Sequence, residues 1–246
     1  MALMKASSPS EAPPAADEKH HHRDVQGGAA RAAVFGASDG LVSNVSLILG
    51  VAGASPAAGV VRLAGLAGLI AGAVSMAAGE YVSMKAQAEL LQRELEMERI
   101  ELRRNPQVET MELSQLYADR GIHPVRAQAL AEDIMRDPEL ALETHAREEL
   151  GIDPSALGSP VRAAGSSFVS FTVGAALPLL PWFVTQGAAA VVASVVLGAL
   201  GAIAVGLALA RFTGRPPLRV AARQLGIATV AAAATSTVGA LVGVSV

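Results

Sequence analysis

Long apolar stretches alternate with polar segments along this chain. Each apolar stretch approaches or exceeds the roughly 20 helical residues that cross a hydrocarbon core of about 30 Å. The stretches run from Ala32 to Ala54, Leu63 to Met84, Ala163 to Thr185, Ala188 to Ala210 and Leu225 to Val246. The pattern therefore predicts an all-α integral membrane protein with five transmembrane helices.

The polar segments divide the chain into four predicted parts. Residues 1–28 form a disordered cytoplasmic tail, residues 29–84 hold the first two spans, and residues 161–246 hold the last three. Residues 85–160 form a glutamate-rich helical insert. Pro and Gly residues divide this insert into four helices. The first continues from the second span to about Arg104, and the others cover about Gln107 to Arg120, Pro124 to Arg136 and Pro138 to Gly151.

Composition and charge support a membrane protein and indicate its orientation. Hydrophobic residues make up 52% of the chain and aromatic residues only 3%, which is too apolar for an ordinary soluble domain. Of the 19 Lys and Arg residues, only Arg62 falls on the predicted outer side. The positive-inside rule then places the amino terminus and the insert in the cytoplasm and the carboxyl terminus outside. The Ala- and Arg-rich composition suggests a bacterial inner membrane.

Small residues and prolines predict how the spans pack. Glycine pairs at helix-packing spacing, which let two backbones approach closely, occur at Gly36 and Gly40, Gly68 and Gly72, and Gly239 and Gly243. Pro178 and Pro181 predict a kink near the outer end of the third span, with Trp182 as an interfacial anchor.

Two carboxylates lie inside apolar stretches, where charge is costly and favours a functional role. Asp39 is eight residues from Arg31, or about 12 Å at 1.5 Å per residue, and Met76 is at a similar depth on the second span. Glu80 lies one turn nearer the cytoplasm on the same face as Met76. A carboxylate and a thioether at one depth suit a borderline-soft ion such as Fe²⁺, although Met76 alone is more often a packing residue.

The insert carries 16 of the 22 Asp and Glu residues. Glu98 and Glu101, and likewise Glu109 and Glu112, repeat at i, i+3 with no basic residue at i+4, so their charges repel unless a cation intervenes. His145 and Glu149, at i, i+4, are candidates to complete the group. An acidic helix is often only a solvated face, and spacing alone leaves both interpretations open.

The residues from Gly36 to Ala54 (GASDGLVSNVSLILGVAGA) and from Ala71 to Ser83 (AGAVSMAAGEYVS) resemble the vacuolar iron transporter family. The resemblance covers about residues 30 to 246. It implies a homodimer with five spans per subunit that moves Fe²⁺, and often Mn²⁺, out of the cytoplasm in exchange for protons, through a pore at the subunit interface. It implies no enzyme activity, no permanently bound cofactor and no nucleic-acid partner.

The resemblance also implies roles for individual residues. Asp39 and Met76 align with pore ligands, and Glu80 belongs to a signature motif. The insert glutamates that would collect metal below the pore are Glu98, Glu101, Glu109, Glu112 and Glu149. His145 stands where relatives commonly carry Met, which favours a borderline ion such as Zn²⁺ or Fe²⁺, with Co²⁺ also open.

Alternatives to transport remain at this point. In the first, the insert senses or stores metal while the spans only anchor it. A membrane di-iron oxidase is disfavoured because the chain lacks the two Glu-x-x-His pairs of the ferritin type. The run from His20 to His22 is a solvated basic segment or a weak metal ligand.

Overall fold

The computed structural model describes residues 28–54, 57–151, 153 and 158–243, and these ranges contain nine helices and no strand. The all-α prediction is confirmed. The predicted tail, with His20 to His22, lies outside the described residues apart from Gly28. The helices are α1 (Ala29–Ala54), α2 (Ala58–Arg104), α3 (Pro106–Asp119), α4 (Pro124–Ile134), α5 (Pro138–Glu148), α6 (Pro160–Leu179), α7 (Pro181–Val184), α8 (Ala188–Thr213) and α9 (Pro217–Gly243).

Among the described residues, four helices are long and apolar enough to cross a membrane, namely α1, α2, α8 and α9. The predicted third span corresponds to α6, which has 20 residues and does not reach that standard. The reason is its content of Ser and Thr together with Arg162. Four of the five predicted spans therefore have support, and the third span stays a prediction.

The polar content of α6 fits its position, because this helix packs against both α1 and α2. A Cβ at Gly40 would collide with the backbone carbonyl of Phe171, and a Cβ at Gly174 would collide with that of Ala37. Near the start of α6, Ser166 donates a hydrogen bond to the carbonyl of Ala29 at 2.7 Å. A helix with protein on two sides needs less apolar surface than one surrounded by lipid.

At the predicted kink, α6 ends at Leu179 and α7 begins at Pro181, with Leu180 between them still in the helical backbone conformation. Pro178 lies inside the last turn of α6, and Pro181 begins α7. Trp182 is only 1% exposed, and its indole Nε1 donates to Ser194 Oγ on α8 at 3.0 Å. The prediction that Trp182 anchors the interface is wrong, because its ring packs inside the protein with Ile48, Val61 and Leu179.

The insert has the four predicted helices. α2 runs without interruption from the membrane-spanning part into the insert and supplies the first of them. α3 packs against α4 and α2, while α5 packs against α2. Asp137 caps α5 by accepting hydrogen bonds from the backbone N–H groups of Glu139 and Leu140. The insert thus folds back onto the carboxyl-terminal part of α2.

Candidate metal site

Four predicted ligands converge where α2, α3 and α5 meet. Glu98 lies on α2, Glu109 on α3, and His145 and Glu149 at the end of α5. One ligand atom from each lies within 4.8 Å of every other. His145 Nδ1 is 3.2 Å from Glu98 Oε1, 3.7 Å from Glu109 Oε2 and 3.4 Å from Glu149 Oε2. Three carboxylates thus surround one imidazole.

The chain reversal between α2 and α3 explains how two of these carboxylates meet. α2 ends at Arg104, Asn105 bonds back to the Glu101 carbonyl at 2.8 Å, and Pro106 begins α3. Pro is favourable at the first position of a helix, since its missing N–H would have no partner there. The turn is tight enough that Glu109, in the first turn of α3, comes back beside Glu98.

Three of the four side chains are buried and Glu149 is exposed, and some of the buried polar atoms lack partners. Glu98 and Glu109 are each 5% exposed and His145 is 1% exposed. Glu98 Oε1 and His145 Nε2 have no hydrogen-bond partner among the described residues. The 3.2 Å approach of His145 to Glu98 is close, but its geometry is not that of a hydrogen bond. Buried polar atoms are costly without a partner, so Glu98 Oε1, which lies within the group, favours a bound cation or proton there.

The electrostatics agree with this interpretation. Burial raises the pKa of Glu98 to about 7, and the charges of Glu149 and Glu109 add to the effect. Burial also raises the pKa of Glu109, with further contributions from Glu112 and Glu101. Carboxylates raise each other's pKa when no cation separates them. In the absence of metal, Glu98 and Glu109 therefore stay protonated to a higher pH than an ordinary glutamate does.

Glu101 and Glu112 lie outside the group of four. Both side chains are exposed. A step of three residues turns a helix position by about 60° from the starting face, which moves both carboxylates toward the rim. They remain near enough to act on the pKa of Glu98. A cavity of about 400 Å³, lined by Glu112, His145 and Glu149 among others, opens beside the group and offers a route to it.

Asp39 is half-buried on α1, where Ser43 Oγ donates to its Oδ1 at 2.8 Å. Positions at intervals of four residues share the helix face of Asp39, and these are Phe35, Ser43 and Leu47. All three are exposed. Asp39 therefore lies along an outward-facing stripe of the protomer.

Glu80 and Met76 lie on α2. Glu80 Oε1 forms an ion pair with Arg31 of α1 at 2.7 Å, and the Glu80 side chain is 12% exposed. Met76 packs against the cluster of Ala73, Phe171 and Ala175. Glu80 is thus neutralised by an arginine in this structure, which the sequence reasoning did not predict.

Sequence reasoning also missed Asn44. It is 2% exposed, its Nδ2 donates to the carbonyl of Ala175 at 2.6 Å, and its Oδ1 has no hydrogen-bond partner among the described residues. A lone amide inside an apolar stretch is itself a signal of a functional or packing role. The contact between Arg31 and Glu80 could have been predicted from their depth in the spans. Arg31 lies near the start of α1, at the level where Glu80 approaches the end of the second span.

The chain is similar to several known proteins. It is 44% identical over 168 residues to a vacuolar iron transporter of Acanthamoeba castellanii, covering 68% of this chain and 60% of that protein. It is 34% identical over 221 residues to vacuolar iron transporter 1 of Arabidopsis thaliana, covering 88% and 86%. It is 31% identical over 225 residues to vacuolar iron transporter 1 of Oryza sativa subsp. japonica, covering 89% of both.

These relatives are eukaryotic and their names are vacuolar, so they give no support to a bacterial inner membrane. The chain spans 60% of the length of the Acanthamoeba relative. The profile of the VIT family matches residues 30–240, which include α1, the insert and most of α9. With that match and the similarity to the plant proteins, the chain belongs to the VIT family.

Proposed function

We propose that this protein carries divalent iron out of the cytoplasm across a membrane, in exchange for protons and as a homodimer. The observation that carries this proposal is the group formed by buried Glu98, Glu109 and His145 together with exposed Glu149, with ligand atoms within 4.8 Å of one another. The names of its relatives in the VIT family point to the same cargo.

The donor set suits a borderline divalent ion. Three carboxylates and one imidazole supply oxygen and nitrogen, and the chain has no Cys. Imidazole favours Fe²⁺, Zn²⁺ and Co²⁺ over Mg²⁺ and Ca²⁺, which prefer oxygen alone, and Mn²⁺ accepts both. The exposed carboxylates of Glu101 and Glu112 attract cations toward the cavity beside the site. The insert therefore raises the local metal concentration below the membrane.

In this proposal the ion then passes Glu80, Met76 and Asp39. Glu80 forms an ion pair with Arg31 in this structure, so that ion pair has to break before Glu80 can bind metal. A divalent cation competes well for a carboxylate that an arginine holds through one contact. Protonation of Asp39 from the outer side would weaken its hold on the ion and release it.

The homodimer is supported by the position of Asp39. A carboxylate on a stripe that includes Phe35, Ser43 and Leu47 would face lipid in a single protomer, and charge facing lipid is costly. A second copy packed on this stripe would enclose the two Asp39 side chains in a shared path. We also propose that α6 crosses the membrane as the third of five spans, beside α1 and α2.

Proteoliposomes test the transport proposal. We expect Asp39→Asn to abolish Fe²⁺ flux, whereas Glu139→Gln, on the exposed surface of the insert, should keep it. Flux that survives in Asp39→Asn would refute the assigned path. Metal binding without flux in the wild-type protein would instead support a sensor or store.

A further inference from the structure

Arginines are concentrated around the turn between α8 and α9. The chain has no Asp or Glu after Asp153, and the arginines near this turn are Arg211, Arg215, Arg219 and Arg223. The last three are exposed, and no salt bridge within the described ranges joins them to a carboxylate. Counted over the described residues, the turn between α8 and α9 is therefore strongly positive.

Helix stability accounts for Arg211 but not for Arg219. Arg211 lies in the last turn of α8, where a positive charge interacts favourably with the helix dipole. Arg219 lies in the first turn of α9, where the same interaction is unfavourable. Gly214, with φ of +67°, ends α8, and Pro217 begins α9, so the turn that contains Arg215 is short. Like charges are thus held close together, and no carboxylate in the described part of the chain forms a salt bridge with Arg215, Arg219 or Arg223.

An apolar cavity of about 440 Å³ lies at the same end of the bundle. It is bounded by the start of α1, the end of α8 and Gln224 of α9, and its walls include Phe35, Leu209 and Phe212. The polar groups at its edge include Arg31 and Thr213. An apolar space next to a positive surface matches a molecule with an apolar chain and an anionic head.

We propose that this cavity and the arginines of the α8–α9 turn form a binding site for an anionic phospholipid. The acyl chain occupies the cavity, and the phosphate interacts with Arg215, Arg219 and Arg223. Arginine binds phosphate through two parallel hydrogen bonds, and basic pockets between membrane helices bind anionic headgroups. This inference requires insertion in a membrane, but it does not depend on which ion the protein carries.

Native mass spectrometry of the purified full-length protein tests the headgroup. Phosphatidylglycerol and phosphatidylcholine with the same acyl chains are compared as probes. We expect the variant Arg215→Gln/Arg219→Gln/Arg223→Gln to lose the preference for phosphatidylglycerol by about tenfold or more, since each arginine near an anionic headgroup is worth several-fold in binding. The matched control, Arg103→Gln/Arg104→Gln/Arg126→Gln, removes three exposed charges from the insert and should keep the preference. An equal loss in both variants would overturn the site.

A second variant tests the cavity and leaves the arginines intact. Val205 lines the cavity on α8, so Val205→Phe should reduce retention of phosphatidylglycerol several-fold. Val192→Phe, at a position of the same helix that is 62% exposed, should not. Glycerol phosphate, which has no acyl chain, should fail to displace the lipid. If Val205→Phe retains lipid like the wild type, the arginines serve only to orient the protein in the membrane and the proposal is wrong.

Discussion

At the scale of single residues, the buried side chain of His145 has the largest consequence for the chemistry of the site. Its ring has Nδ1 toward three carboxylates, while Nε2 has no hydrogen-bond partner among the described residues. Sequence spacing could pair His145 with Glu149 at i, i+4, because both lie on α5. It could not bring them to Glu98 and Glu109, since that depends on how α5 packs against α2.

Replacement of His145 by Gln should weaken metal binding. Loss of a group that only orients a metal ligand costs about 10- to 100-fold in affinity. Loss of a ligand itself should cost at least as much for Zn²⁺ and Fe²⁺. Isothermal titration of the full-length protein in detergent measures this, with His123→Gln as the control, because His123 is exposed on the turn before α4. Equal affinities in the two variants would remove His145 from the site.

The raised pKa of Glu98 predicts how metal-free stability depends on pH. The usual value is 4.5 and the value in the fold is about 7, so the protonated form stabilises the fold. This contribution is fully present below about pH 4.5 and is lost as the pH rises through about 7. Glu98→Gln stays neutral, so at pH 8 we expect its melting temperature without metal to exceed that of the wild type by a few degrees.

The same comparison carries its own controls. At pH 4.5 the wild type and Glu98→Gln should melt at nearly the same temperature, and Glu139→Gln should follow the wild type at both values of pH. Added metal should stabilise the wild type more than Glu98→Gln, since metal replaces the proton as the partner of the carboxylate. A wild type that is the more stable of the two at pH 8 without metal would contradict the electrostatic account.

At the scale of helices, the Pro and Gly residues predicted the bounds of the insert helices to within a few residues, because they end helices sharply. The prolines predicted where α6 gives way to α7, but the sequence did not anticipate the burial of Trp182. That burial follows from packing, since Trp182 bonds to Ser194 on α8. The pairing of Arg31 with Glu80 is likewise a contact between two helices, and the two residues lie 49 positions apart in sequence.

The close approach of α6 to α1 should make Gly174 intolerant of substitution. Gly174→Ala places a methyl group against the backbone of α1 at Ala37, and neither backbone can move aside easily. We expect a loss of about 1–3 kcal/mol or more in stability, typical of overpacking. Gly165→Ala is the matched control on the same helix, because a Cβ there meets nothing within 4 Å. Thermal unfolding that is equal in both variants would argue against this packing.

At the scale of the whole molecule, the carboxylates form two groups, one in the insert and one in the spans. The sequence predicted the carboxylates in the spans from the cost of charge in an apolar stretch, and those in the insert from like charges at i, i+3 without a basic residue at i+4. It could not distinguish the buried glutamates from Glu101 and Glu112, because that difference depends on which helix faces are covered in three dimensions.

The proposed dimer is testable by cross-linking. The chain has no Cys, so a single introduced Cys reports one position. Leu47→Cys lies on the same stripe as Asp39, and we expect a bifunctional maleimide to join two copies in membranes. Val192→Cys, on the exposed surface of α8, should give much less product. Equal cross-linking of both variants would argue against a shared path along Asp39.

The unbroken course of α2 has a mechanical consequence. Its 47 residues include both Glu80 and Glu98, which are separated by five full turns, or about 27 Å, and so point in the same direction from the axis. No proline interrupts the helix between them. A twist or tilt imposed at Glu98 when an ion settles there is therefore transmitted to Glu80 without a hinge to absorb it. Metal binding in the insert would then change the strain on the ion pair between Arg31 and Glu80.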